Sequence, residues 1–268
     1  MSNLSIVPKR TADPAIALEL LHQDGAVIFV APELTFEGTK DAVRAVLGHD
    51  LPAMGEPVLI VAEGNNDKSL PTTDISYGHT DGFSYGYDTP DMIMLHCIIQ
   101  STGGGASFIL DGYRLLEQMD NDPKMADLSN FLRTVEIDQS DPGMRSDFSR
   151  AVRMTDKGRV CIRHHRYQRA VEDSPDYEYQ KAMLGRWRKS VIKASQEVDR
   201  FMLQPGDALF IDNYRVMHGR DPYPGDARRL HRIWMWSKDS FSVPEGMLGS
   251  DSGTSTVKYA GAIASEKY

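Results

Sequence analysis

The sequence predicts a mainly β fold with flanking helices, an α+β arrangement. Short apolar runs rich in β-branched and aromatic residues recur from Ala26-Val27-Ile28-Phe29-Val30 to Ile233-Trp234-Met235-Trp236, whereas only a few segments carry helical periodicity. Among 268 residues there is no internal repeat, low-complexity block or charged linker, so residues 1–268 are expected to form one domain, helical at its N-terminal part and loosely held at its C-terminal tail.

In chain order, Asp13-Pro14 caps residues 15–23, whose Ile16, Leu20 and Leu21 lie at helical spacing, and Gly25 releases the chain into the first strand, 26–30. Residues 35–47 repeat the helical pattern with Val43, Val46 and Leu47, and 58–61 reads as a second strand. From 63 to 77 the composition turns to Gly, Asn, Asp, Ser, Pro and Thr, the signature of a surface loop. Residues 93–99 are apolar almost throughout, as in a strand buried on both faces, which makes His96 a core histidine.

Gly103-Gly104-Gly105 lacks the Lys-Ser/Thr of a phosphate loop and reads as a turn into a strand ending at Leu110. Helices are expected at 113–119 and 123–132, a strand at 134–137, and a hairpin of 148–154 with 160–163 across Thr155-Asp156-Lys157-Gly158. The longest helix, 177–200, carries Tyr179, Met183, Trp187, Val191 and Val198 along a packing stripe. Strands at 208–211 and 229–236 follow, and the tail after Phe241 is Ser/Gly-rich. The segments 63–77 and 138–147 are expected to cover the site.

The net charge of −8 and pI near 5.5 argue against a nucleic-acid partner, which would call for a basic face. Neither a signal-peptide core at residues 1–14 nor a run of ~18 apolar residues is present, so no membrane partner is expected and the location is expected to be cytoplasmic. Cys97 and Cys161 are too few for a disulfide framework and are expected as buried thiols. A homo-oligomer stays open.

Chemistry concentrates in Tyr77-Gly78-His79-Thr80-Asp81-Gly82 and, far downstream, in Met217-His218-Gly219-Arg220. In an extended strand His79 and Asp81 leave the same face and close on one ion while Thr80 points away. With His218 they make a two-His-one-carboxylate triad with open positions opposite, the arrangement of non-heme Fe(II) oxygenases. A lone His-x-Asp arises often by chance. The aromatic run from Phe83 to Tyr87 is either a pocket wall or a packed turn.

These residues resemble one family, the Fe(II)/2-oxoglutarate dioxygenases of the taurine dioxygenase and gamma-butyrobetaine hydroxylase type. The resemblance spans about Gly78 to Trp236, through His79-Thr80-Asp81, Met94-Leu95-His96-Cys97, Gly104-Gly105-Ala106-Ser107, Asp111-Gly112, Gly158-Arg159-Val160, Pro205-Gly206-Asp207 and His218-Gly219-Arg220. It implies a double-stranded β-helix, or jelly roll, with Fe(II) at the barrel mouth and with 2-oxoglutarate and O2 as cosubstrates. It further implies that Arg228, ten residues beyond His218, clamps the far carboxylate of 2-oxoglutarate, that Ser107 hydrogen-bonds the same group, and that Arg232 reaches cosubstrate or substrate.

Positions 228, 230 and 232 share a strand face, which makes the arginine pair physically coherent and points Arg229 away. Phe83, Tyr85, His164, His165 and Trp234 are the substrate-pocket candidates. Ile162-Arg163-His164-His165-Arg166 departs from the asparagine-bearing strand of gamma-butyrobetaine hydroxylases, and Leu70-Pro71-Thr72 from their upstream cage aromatic, which puts carnitine synthesis in doubt. Because Asp81 is present, halogenation is not expected.

The function expected on this basis is hydroxylation of an unactivated C–H bond of a small polar or zwitterionic metabolite derived from an amino acid. An oxidative cyclase or desaturase on the same scaffold, or a non-catalytic metal and 2-oxoglutarate sensor, uses the same residues. A zinc hydrolase would want a general-base motif such as His-Glu-x-x-His, which is absent.

Overall fold

The structure is a computed structural model and describes residues 4–48, 51–61, 77–141, 146–223, 228–244 and 255–257. Its larger sheet runs in the order Ser255–Val257 (β15), Ala53–Gly55 (β4), Arg229–Trp236 (β14), Met92–Ile99 (β6), Asp207–Asp212 (β12), Ala26–Val30 (β3) and Arg10–Thr11 (β2), with Val58–Val61 (β5) also on β14. A smaller sheet places Ser107–Asp111 (β7) between Ser5–Ile6 (β1) and Val216–Arg220 (β13). Strand alternation then decides the layers.

One side chain set from each sheet meets in a shared core: Ile6, Ile109 and Val216 from the smaller, Ile28, Ile93, Leu209, Leu230 and Trp236 from the larger. The alternate set of the larger sheet, including Val27, Met94, Phe210 and Ile233, packs against Pro14–Asp24 (α1) and Phe36–Leu47 (α2). Phe108, Leu110 and Met217 of the smaller sheet pack against Gly112–Asn121 (α3), Ala126–Thr134 (α4) and Tyr177–Glu197 (α5). Two facing sheets wrapped by helices on both outer faces make the expected jelly roll.

Local chemistry sets the helix ends. Asp13 accepts from the Ala15 and Ile16 amides, Thr35 from Gly38, and Asp111 from Tyr113 and Arg114, each satisfying first-turn donors that have no partner within the helix. Two expectations shift. The Thr134 hydroxyl donates to the Asn130 carbonyl and stays with α4, so the strand expected at 134–137 shrinks to Ile137–Asp138 (β8), paired with Phe148–Ser149 (β9). Tyr179 leaves the packing stripe: it is 51% exposed with one edge on Phe131, while Met183, Trp187 and Val191 are buried.

The hairpin forms as Val152–Met154 (β10) and Val160–Ile162 (β11). Of the expected covers, residues 62–76 and 142–145 lie outside the described residues, as does most of the C-terminal tail; β15 of that tail runs parallel to β4.

His96 is a core histidine on the outward face of β6, opposite His231 of β14. Its Nε2 lies 2.8 Å from the Ala31 carbonyl, which calls for a proton there, and its Nδ1 lies 2.9 Å from Thr39 Oγ1, whose single proton is shared between this nitrogen and the Thr35 carbonyl at 2.8 Å. Thr39 Oγ1 then accepts from His231 Nδ1 at 2.8 Å. Burial lowers both imidazoles from their ordinary range, His231 to about 4.

An unfolded histidine titrates near ~6.5, so the stability these neutral rings contribute is complete above that pH and is lost as pH falls toward the native value. Denaturant unfolding at steps from about pH 7.5 to about pH 4.5 should show falling stability, with a shallower fall in His231→Asn; an unchanged slope in that variant would contradict the assignment.

Candidate metal centre

His79 and His218 face each other across an isolated antiparallel bridge, each amide donating to the other's carbonyl at 2.9 Å. This hydrogen-bonded pairing puts both side chains on one face, with ring centroids 4.3 Å apart. The strand expected through Asp81 is reduced to that bridge, because the chain turns at Asp81. Asn213 fixes the turn. Its Oδ1 accepts from the Asp81 amide at 3.0 Å, and its Nδ2 donates to the carbonyls of Asp81 at 3.0 Å and Pro90 at 2.8 Å.

Gly78 lets the bridge pack close to α5: its amide donates to Ser195 Oγ at 2.8 Å, and a Cβ there would stand 3.0 Å from Met217 Cβ.

Asp81 divides its carboxylate. Oδ2 accepts from Trp234 Nε1 at 2.9 Å and from Arg232 Nη1 at 3.0 Å. Oδ1 lies 3.7 Å from His79 Nε2 and 3.8 Å from His218 Nε2, and the three ligand atoms all fall within 4.8 Å of one another.

Burial opposes the charge on Asp81, but Arg232 foremost, then the two histidines and Trp234, outweigh it and hold the carboxyl well below the usual range. Burial also lowers His79, against the pull of Asp81, and lowers His218 to about 3. The result at neutral pH is two neutral imidazoles and one carboxylate oxygen, a donor set suited to Fe(II).

The family described as "Taurine catabolism dioxygenase TauD, TfdA family" matches residues 8–234. The chain belongs to the TauD/TfdA dioxygenase family. Among its relatives, gamma-butyrobetaine dioxygenase of Homo sapiens is 27% identical over 175 residues, covering 59% of this chain and 42% of that protein. The human mitochondrial trimethyllysine dioxygenase is 26% identical over 156 residues, covering 55% and 37%.

The chain thus spans less than half the length of these curated relatives. A solved taurine dioxygenase from Burkholderia xenovorans superposes with a TM-score of 0.60 at 16% identity, covering 88% of this chain and 86% of that one. PvcB, an Fe, alpha-ketoglutarate dependent oxygenase from an isonitrile synthetic pathway, gives 0.56 at 15%, covering 81% and 77%.

Around the triad of this TauD/TfdA member, His165 stacks on Phe83 with centroids 4.0 Å apart and turns an edge to His79 at 6.2 Å. Tyr85 packs edge-on against Trp234 at 5.2 Å. Tyr167, which the sequence did not single out, touches both Phe83 and His165. Of the two readings of this aromatic run, the packed turn is seen: Gly86–Asp88 is a tight 3-10 turn, and Phe83 and Tyr85 are buried against His165 and Trp234.

Two expected roles change. His164 is turned away from the pocket. Its Nδ1 bonds the Gly78 carbonyl at 2.6 Å and its ring meets Trp187 edge-on, so it braces the His79 segment. Arg232 is spent on Asp81 rather than left for cosubstrate. Arg228, by contrast, is 5% exposed, its Nε has no hydrogen-bond partner, and it makes no ion pair among the described residues. Ser107, on the inward face of β7, has no side-chain hydrogen bond there either. A buried guanidinium without an anion costs several kcal/mol, which a bound carboxylate recovers.

Because partners of a metal-ligating carboxylate typically change affinity about 10–100-fold, Trp234→Phe should weaken Mn(II) or Fe(II) binding by roughly that factor in a calorimetric titration while leaving the protein folded. Unchanged affinity would contradict the division of Asp81.

Proposed function

We propose that this chain carries the catalytic centre of an Fe(II)/2-oxoglutarate-dependent dioxygenase that hydroxylates an unactivated C–H bond of a small polar or zwitterionic metabolite, releasing succinate and CO2. The observation that carries it is the pairing of a preformed triad, with only one Asp81 oxygen facing the two histidines, with a buried Arg228 that makes no ion pair among the described residues. Bound iron with 2-oxoglutarate and O2 would supply the oxidation itself.

The protein's residues bind and orient. His79, Asp81 and His218 would hold the ion, Arg228 with the Ser107 hydroxyl would take the far carboxylate of the cosubstrate, and the His165–Phe83 stack would form one wall for the substrate. Burial keeps the histidines deprotonated and therefore competent ligands at neutral pH. Mixed imidazole and aromatic surfaces suit a zwitterion, and relatives named for gamma-butyrobetaine and trimethyllysine support that class.

A net charge of −8 favours a small-molecule partner over nucleic acid. Among the described residues no helix is long and apolar enough to cross a membrane. The free, buried thiols of Cys97 and Cys161 are consistent with a cytoplasmic setting.

Succinate release, measured with Fe(II)-loaded protein, 2-oxoglutarate, O2 and a panel of amino acids and betaines, should rise with at least one candidate substrate. Asp81→Ala should abolish it, and Arg228→Met should raise the KM for 2-oxoglutarate roughly 10–100-fold, the scale of a lost charge-assisted hydrogen-bond pair. Iron-loaded protein that makes no succinate under any of these conditions would favour the sensing protein.

A further inference from the structure

Arg220 sits two residues beyond His218 on β13, on the same inward-facing set of side chains, and is the register partner of Ser107 on β7. Its guanidinium carbon lies 4.3 Å from the centroid of the Tyr223 ring, and that of Arg228 lies 5.4 Å from the same centroid. Among the described residues the one hydrogen bond of Arg220 is a long one, 3.4 Å, to the carbonyl of Asp221, whose carboxylate is committed to Arg200.

Several other interior arginines meet carboxylates, Arg159 with Asp91 and Asp212, Arg163 with Asp147, Arg215 with Asp111, and Arg232 with Asp81, while Arg153 is held by the Gly86 carbonyl and the rings of Tyr87 and Phe241. Arg220 and Arg228 meet no carboxylate among the described residues, although they lie close enough to repel each other. Burial lowers Arg220 to about 10, with Tyr223 opposing and Arg228 adding to the fall, so it stays a cation at neutral pH. Arg220 is thus flanked on its strand by His218 and, over the Tyr223 ring, by Arg228.

The triple-glycine turn accounts for how Tyr223 is held. Gly104 and Gly105 take φ of +72° and +73°, and the Gly105 amide donates to the Pro222 carbonyl at 3.1 Å. A Cβ on Gly105 would stand 3.2 Å from Tyr223 Cδ1, and one on Gly104 would stand 2.6 Å from the Pro222 oxygen. The turn leading to Ser107 therefore doubles as the backing of the ring that both arginines touch.

We propose that Arg220 is a second guanidinium of the cosubstrate pocket, sharing the far carboxylate of 2-oxoglutarate with Arg228 and Ser107, and that Tyr223 holds the two cations apart. This rests on the dioxygenase function proposed above. A carboxylate offers about four acceptor positions, enough for both guanidinium groups and the hydroxyl. The pair makes the pocket selective for 2-oxo acids ending in a carboxylate over those ending in a methyl group.

The test is calorimetric binding of 2-oxoglutarate and of 2-oxopentanoate, its equal in chain length without the far carboxylate, to Zn(II)-loaded full-length protein, in which redox turnover is absent. Arg220→Met should weaken 2-oxoglutarate roughly 10–100-fold and leave 2-oxopentanoate unchanged, with Arg220→Lys intermediate. Unchanged 2-oxoglutarate affinity, or equal weakening of both acids, would overturn the role.

Arg228→Met separates the two claims. If it weakens 2-oxoglutarate and Arg220→Met does not, only the second guanidinium fails; if neither variant matters, the cosubstrate pocket itself is elsewhere. Should Arg220→Met not fold by circular dichroism, Arg220→Lys carries the same comparison between the two acids.

Discussion

The two oxygens of Asp81 do different jobs, and the rest of the site depends on that division. Trp234 and Arg232, both from the larger sheet, hold Oδ2, and this aims Oδ1 at the histidine pair bridging to the smaller sheet. The metal centre is therefore a joint between the two sheets, and its precision comes from their shared core of Ile93, Leu209, Val216 and Trp236 rather than from the loop that carries Asp81. Asn213 and Ser195 pin that loop by its backbone, leaving the side chains to the metal.

Charge distribution inside the barrel follows the same logic. Most interior arginines are neutralised by the protein's own carboxylates, which makes them structural braces: Arg163, for example, ties Asp147 to the Phe83 carbonyl and so supports the aromatic wall. Arg228 and Arg220 have no carboxylate partner among the described residues and share the Tyr223 ring, with Arg220 two residues from His218 on β13. Unmatched buried charge is unfavourable in the isolated protein. On the proposed function, that charge would become binding free energy for a dicarboxylate cosubstrate.

Much of this was legible in the sequence, for physical reasons that differ by element. Strands such as β6 and β12 carry side chains buried on both faces, so their composition is unambiguous, and α1 announces itself through the Asp13 cap and α2 through the spacing of Val43, Val46 and Leu47. The triad could be read because metal chemistry restricts the residue types. Leu230 and Arg232 keep the expected strand parity and Arg229 is exposed, but β14 begins at Arg229 and its register on β6 shifts between Arg229 and Leu230, so Arg228 lies beyond the regular alternation.

What could not be read was partnership at long range. Nothing near residue 164 says that His164 faces Trp187 while His165 faces Phe83, since a one-residue change of phase exchanges them. Arg232 and Trp234 could be placed beside the site, but that both would bond the same oxygen of Asp81 depends on how the sheets pack. The two-residue strands β1 and β2 carry too little pattern to be seen.

The division of Asp81 is tested most directly by the metal–oxygen distances in a crystal structure of the Mn(II)-loaded protein. The account predicts one Asp81 oxygen on the metal together with the Nε2 atoms of His79 and His218, and the other oxygen still bonded to Trp234 and Arg232. A bidentate Asp81 that has let go of Trp234, or a metal bound away from this triad, would contradict it.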